Sequence, residues 1–334
     1  MTYERKLSSI DRSFLAHPEQ DGRPVRQRIN QFIIEGPGEL DLTRWKDAVA
    51  KAAKANPSSC LKIKGHLGRS RWVEGPLPAV TLLEDHQWNG CTSDHFPFLN
   101  RTFDLRQGPT ADILLLPGSP ARILVSTHHA VMDGMSTRFF MEGVFCALRG
   151  EPVPQNKSCV RDIDIVRSVE VPTRAIQPTI QDALPFNGAA EPAEKGVTWR
   201  RAFIPGNFKN VSPMILFELA KIVRANNEAD GKVRFLMPIN LRRHIDDKEA
   251  MGNLSYPVTV DIDISDTETD VRKKILTTMK NKQDLYFPPP FLMNLFTWTP
   301  SFLFMPWLEL TSYFLMMCLL VHIDFDEEYF LNDR

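Results

Sequence analysis

The chain has 334 residues, 43% of them hydrophobic and 24% charged, with a formal net charge of -1. That size predicts two domains or two halves around a substantial core. The near-neutral balance gives no global field for nucleic acid, and no aromatic-interleaved basic patch supplies a local one. The five cysteines are odd in number and scattered, without a CxxC pair, so neither a zinc site nor a disulfide framework is signalled. The opening residues show no signal-peptide pattern, which predicts a reducing, cytoplasmic setting.

In chain order, Leu7 to Leu15 precedes a strand over Arg28 to Glu35, with Ile29, Phe32 and Ile34 as inward candidates. Gly36-Pro-Gly38 breaks it. Asp41 then caps a helix from Leu42 to about Ala55, ended by Asn56-Pro57. Leu61 to Gly65 and Ser70 to Glu74 read as a hairpin about Gly68. Residues 84 to 98 read as a loop, with His86 and His95 as surface histidines. Ala111 to Leu116 and Ala121 to His129 form a strand pair joined by Pro117-Gly-Ser-Pro120. A helix from Met135 to Leu148 follows, with Phe139, Val144 and Leu148 as core contacts.

Residues 151 to 196 are proline-punctuated and without periodicity, as a long connection would be. Beyond them the pattern predicts a strand over Val197–Ile204, a helix over Pro213–Asn226 and a strand over Val233–Asn240. A half-buried strand follows over Tyr256–Ile264, facing inward with Val258, Val260, Ile262 and Ile264, then a polar helix from Asp270 to about Tyr286. From Phe287 to Leu320 the chain is rich in Phe, Leu, Met and Trp. Its run Tyr313–Val321 falls short of the ~20 residues that span a bilayer. A buried helix is the expectation there. A peripheral membrane contact through 287–321 and an incomplete C-terminal half are the alternatives.

The chemistry concentrates in Arg122-Ile-Leu-Val-Ser-Thr-His-His-Ala-Val-Met-Asp-Gly-Met-Ser136. It reads as a strand, a tight turn and a helix, a rigid mount for a reactive group. Side chains alternate along a strand, so His128 and His129 should face opposite ways. That divergence disfavours one metal ion held by His128, His129 and Asp133, and no fourth ligand is near in sequence. No Gly-x-Ser-x-Gly elbow supports a serine hydrolase. A histidine general base remains, and neutral imidazole suits that role at cytoplasmic pH.

His128-His-Ala-Val-Met-Asp-Gly134 resembles the His-His-x-x-x-Asp-Gly signature of the chloramphenicol acetyltransferase-like superfamily. That group includes condensation domains, polyketide-associated acyltransferases, alcohol acetyltransferases and wax ester/diacylglycerol acyltransferases. Leu7-Ser-Ser-Ile-Asp-Arg-Ser-Phe-Leu15, Phe103-Asp-Leu-Arg-Gln-Gly-Pro109, Met237-Pro-Ile-Asn-Leu-Arg242 and Met251-Gly-Asn-Leu-Ser255 are similar to flanking segments in family order. The Asp-Phe-Gly-Trp-Gly signature of plant members is absent, and Asn56-Pro-Ser-Ser-Cys60 stands where many relatives carry an Arg-His-Pro type sequence.

The resemblance implies an α/β fold of two halves with a tunnel at their interface. The halves would be residues 1–165 and 197–334, joined by a linker over 166–196. It implies an acyltransferase that moves an acyl group from a CoA or carrier-protein thioester to a hydroxyl or amine. His129 would be the base, and His128 would brace the loop. Asp133 would pair with Arg242 (or Arg243), and Gly134 would leave room for substrate. Ser136, Asn240 and Asn253 are tunnel candidates. No tightly bound cofactor and no metal are implied. The partners are acyl-CoA or a separate acyl carrier protein and a small alcohol or amine. A non-catalytic condensation-like binding or recruiting protein is the alternative.

Overall fold

The computed structural model describes residues 3–15, 28–94, 101–170, 184, 200–202, 205–206, 208–285, 298 and 315–316. The site hangs from a four-stranded sheet of order β2-β7-β6-β5. Its strands are β2 (Ile29–Gly36), β5 (Ala79–Leu82), β6 (Ala111–Leu116) and β7 (Ala121–His128). β7 lies inside it, antiparallel to both β2 and β6, with Ile29 opposite His128 and Ala111 opposite Thr127. Every β7 residue from Ile123 to His128 is buried, which explains the near-continuous apolar run up to Val125. β5 joins β6 in parallel, in a stretch between the hairpin and the 84–98 loop to which the sequence pattern assigns no element.

Two helices pack together beside this sheet. In α2 (Leu42–Ala55), Asp41 accepts from the Arg44 backbone N–H at 2.9 Å, and the buried stripe is Trp45, Ala48, Val49, Ala52 and Ala53. Asn56 stops the helix by donating its side-chain amide to Ala52 O at 3.2 Å and Pro154 O at 3.1 Å. α3 (Gly134–Leu148) meets it through Trp45 and Phe145, edge to face with centroids 6.0 Å apart. Val144 is buried as expected, but Phe139 and Leu148 are only half-buried. Phe140 is a fully enclosed ring, on a buried face that runs through Phe140, Met141, Val144 and Phe145, with Leu148 packed at its edge.

A second, smaller sheet has the order β1-β4-β3. It unites β1 (Glu4–Lys6) with the hairpin of β3 (Leu61–Lys64) and β4 (Arg71–Glu74). α1 (Ser9–Leu15) follows β1. At the hairpin turn, a Cβ on Gly68 would overlap the Trp298 indole at 2.3 Å, so the absence of a side chain lets the two meet. His86 is half-buried and sits 3.0 Å from Pro117 O through Nε2; His95 lies outside the described residues.

The connection after Gly150 contains a helix that the sequence reading missed, α4 (Asp162–Ser168). It is only seven residues long, too short for a periodic signal, and crosses the expected half boundary at 165. Of the expected strand over 197–204, residues 200–202 are described. Arg200 forms an isolated antiparallel bridge with Thr92 rather than part of a strand.

The third sheet, β9-β8-β10, belongs to the second half. β8 (Val233–Asn240) pairs antiparallel with β9 (Ser255–Ile262), while β10 (Leu315–Met316) runs parallel to β8. Leu216, Ala220 and Val223 of α5 (Val211–Asn227), with Val271 and Ile275 of α6 (Glu268–Lys280), cover Val233, Phe235, Val258, Val260 and Ile262. Ile264 is 57% exposed, because β9 ends two residues before it. α6 stops at Lys280, and a 3-10 turn over Gln283–Leu285 replaces its expected last turn. Within Tyr313–Val321 the two described residues are strand and not the expected helix; the rest of that run lies outside the described residues. Among the described residues, no helix is long and apolar enough to cross a membrane.

Candidate active site

The motif turn is built almost wholly by backbone. The His128 carbonyl accepts from Val131 N–H at 2.9 Å and from Met132 N–H at 3.3 Å. His128 Nδ1 accepts from Ala130 N–H at 3.2 Å, and its ring is 1% exposed. His128 therefore braces the loop, as the resemblance implies. Its neighbour differs. His129 is half-buried, and its ring stacks on Phe14 of α1, with centroids 4.2 Å apart and planes 17° from parallel. His129 Nδ1 is enclosed and makes no hydrogen bond to a described residue.

Burial pushes the His129 imidazole below its ordinary value, because an imidazolium there would lose hydration. The Asp133 charge pulls it up, and the Arg28 charge pushes it down. The net effect is downward, so the ring is neutral at pH 7 and able to accept a proton.

Asp133 caps α3, accepting from Ser136 N–H at 2.8 Å. It also receives Leu254 N–H at 2.9 Å and, from Arg242, Nη1 at 2.8 Å and Nη2 at 3.1 Å. Burial alone would raise this carboxyl. The Arg242 charge and the four hydrogen bonds outweigh burial and hold it below the ordinary carboxylate value. Arg242 is 1% exposed. Its remaining donors reach Ala250 O at 2.6 Å, Asn240 Oδ1 at 3.1 Å, Ser136 Oγ at 2.7 Å and Gly252 O at 3.3 Å. Arg243, the fallback partner, turns to Met279 O at 2.7 Å instead.

Two of the three tunnel candidates prove to be parts of this clamp. Ser136 is fully buried; its Oγ donates to Gly252 O at 2.8 Å and accepts from Gly252 N–H at 2.9 Å. Asn240 caps the 3-10 turn Leu241–His244, accepting from Arg242 N–H at 3.0 Å. Asn253 is 1% exposed, and its Nδ2 has no hydrogen-bond partner among the described residues. At Gly134 an added Cβ would meet only Phe32 Cζ at 3.8 Å, an ordinary contact. Gly252 has φ +153°, and a Cβ there would strike Arg5 Nη1 at 2.6 Å, so glycine is required by both backbone and packing.

Behind Gly252 lies a buried ionic cluster that the sequence did not disclose. Arg5 stands 3.7 Å from Asp11, and Asp162 is fully enclosed on α4. Asp11 also accepts from Trp72 Nε1 at 3.1 Å and Ser8 N–H at 3.1 Å. Burial, and then the Asp11 charge, push Asp162 up to about 7. Among the described residues, no group of three or more His, Cys, Asp or Glu side chains could hold a metal ion.

No family model matches the chain. One curated relative, a nonribosomal peptide synthetase of Aspergillus sclerotiorum, is 27% identical over 135 residues, covering 39% of this chain and 10% of that protein. Among solved structures, the first condensation domain of the calcium-dependent antibiotic synthetase superposes with a TM-score of 0.59. It is 15% identical, over 84% of this chain and 75% of that one. The chain has the condensation-domain fold, of the chloramphenicol acetyltransferase-like kind. The same condensation fold underlies two further likenesses. TRI101 of F. sporotrichioides, complexed with coenzyme A and T-2, gives a TM-score of 0.55 at 10% identity, over 90% of this chain and 79% of that one. The X-domain from teicoplanin biosynthesis, in complex with OxyB, gives 0.55 at 14% identity, over 88% and 73%.

Proposed function

We propose that this protein transfers an acyl group from a CoA or carrier-protein thioester to a hydroxyl or amine, with His129 as the general base. The observation that carries this reading is a half-buried imidazole, stacked on Phe14, on a turn pinned to the second half through Asp133 and Arg242. In the proposed step, His129 takes the proton of the acceptor O–H or N–H as that oxygen or nitrogen attacks the thioester carbonyl. The tetrahedral intermediate then collapses, the C–S bond breaks, and the imidazolium returns its proton to the departing thiolate. The products are an ester or amide and a free thiol.

Substrates would reach His129 through a tunnel between the halves, with the acceptor and the donor's pantetheine arm entering from opposite faces. Asn253 Nδ2, a buried donor with no hydrogen-bond partner among the described residues, is the candidate substrate contact from the second half. Gly134 would keep its side of the channel open. The clamp would set the position of the turn and take no proton.

The test offers mixed acyl-CoAs, and acylated carrier protein, with candidate alcohols and amines, and looks for acylated product by mass. Product formed by the wild type and lost in His129→Ala supports the reading. A second reading, recruitment without catalysis, is favoured by the X-domain likeness, since that relative is seen in complex with OxyB. Absence of product from every donor and acceptor pair, beside tight binding of another biosynthetic enzyme, would select it.

A further inference from the structure

Three groups line up at the base of the candidate site. The His129 backbone N–H donates to Arg28 O at 2.9 Å, which fixes the two residues side by side where β2 begins and β7 ends. The Arg28 guanidinium lies 5.1 Å from the centre of the Phe14 ring. Phe14 in turn stacks on His129 at 4.2 Å, nearly parallel. Neither Phe14 nor Arg28 belongs to the motif; Phe14 lies on α1, and Arg28 immediately precedes β2.

We propose that Phe14 and Arg28 are positioning residues for His129: Phe14 sets the plane of the imidazole and excludes water from one face, and Arg28, whose guanidinium lies over the same phenyl ring, makes a second cation there unfavourable. The argument rests on the acyl-transfer reading above for its meaning in catalysis, but not for its geometry.

A ring stacked on a phenyl face cannot be hydrated on that side, so the charged form is penalised more than the neutral one. A lone imidazolium could recover part of this by a cation–π contact with Phe14. Arg28 already occupies that aromatic ring, so a second cation there would place two positive charges on one π system. The other charged groups around the ring act in known directions. Asp133, at the start of α3, favours the imidazolium, and its own charge is largely absorbed by Arg242. On α1, Asp11 is directed to Arg5 and Trp72, and Arg12 adds a further half-buried cation. His128 is held by Ala130 N–H. Phe14 and Arg28 both oppose protonation of the ring, Phe14 by excluding water from one face and Arg28 by its charge.

The experiment is a proton NMR titration of the histidine rings in the full chain, with the His129 signal assigned by its loss in His129→Gln. The pH dependence of kcat/KM is measured beside it. The wild-type midpoint should lie below the ordinary imidazole value. Arg28→Met and Phe14→Leu should each move it upward, and the acid limb of kcat/KM should move with it, so that activity falls more at pH 6 than at pH 8. Arg28→Met carries the test if Phe14→Leu unfolds, since Arg28 projects from a strand start and not from the core. An unmoved midpoint in Arg28→Met overturns the proposal. A midpoint that moves in a protein with no acyl transfer from any donor keeps the proposal for the ring and discards the catalytic reading.

Discussion

Arg242 Nη1 lies 2.8 Å from Asp133 Oδ2, across 109 residues of sequence, with both side chains at most 4% exposed. The pair joins the motif turn of one half to the strand-end turn of the other. Breaking one side of a buried pair leaves an uncompensated charge, typically costing ~3–5 kcal/mol. Asp133→Asn and Arg242→Met should each lower stability by about that amount, and the double variant should lose less than the sum. Denaturant unfolding of the four proteins measures it. Strict additivity would mean that the contact is not energetically coupled.

The same pair sets an acid limit. The Asp133 carboxyl is held below its ordinary value, so its contribution to stability is present above that value and is lost as pH falls through the lowered one. Wild type should lose stability steeply in that acid range, and Asp133→Asn should show a flatter curve. Thermal melts from pH 2 to pH 6 provide the comparison, and parallel curves would contradict it.

Asp162 predicts the opposite slope. Its folded-state value is pushed up to about 7, above the ordinary 3.8. The fold therefore favours the protonated carboxyl, and that stability is full below about 3.8 and lost as pH rises through about 7. Asp162→Asn should change little at pH 4 and stabilise by a few kcal/mol, as an order of magnitude, at pH 8. Melting temperatures of both proteins at the two pH values test this. An equal effect at both would show that Asp162 is not protonated in the folded protein.

Ser136 couples the clamp to Gly252. Ser136→Ala removes three hydrogen bonds at once, to Gly252 O, Gly252 N–H and Arg242 Nη2. Leaving buried groups unsatisfied costs roughly 1–3 kcal/mol. Chemical unfolding should show that loss with the slope unchanged, whereas a neutral effect would place a solvent path to Gly252.

Much of this site was legible in sequence because it is local. The strand, turn and helix around His128–Gly134 follow from alternation, the apolar run and an Asp at the helix start, and they lie where expected. Arg242 was identified through a motif resemblance, and its partner is as implied. What sequence could not give was contact between elements far apart in the chain. Phe14 lies in a stretch that resembles the family's opening, but nothing in its spacing discloses a ring stacked on His129. Nor does the sequence disclose that Ser136 and Asn240 hydrogen-bond to Arg242. α4 is too short to declare itself, and Phe139 and Phe140 are adjacent rings of which the buried face of α3 encloses only the second.

The account stands most directly on single-turnover acyl transfer by His129→Ala, compared with wild type at matched melting temperature. General-base catalysis typically supplies ~10²–10⁴-fold, and the variant should lose that much with thioester binding retained. His128→Ala should instead lose stability through the Ala130 N–H bond, with a smaller fall in rate per folded molecule. Turnover by His129→Ala equal to wild type would contradict the assignment of His129 as the base.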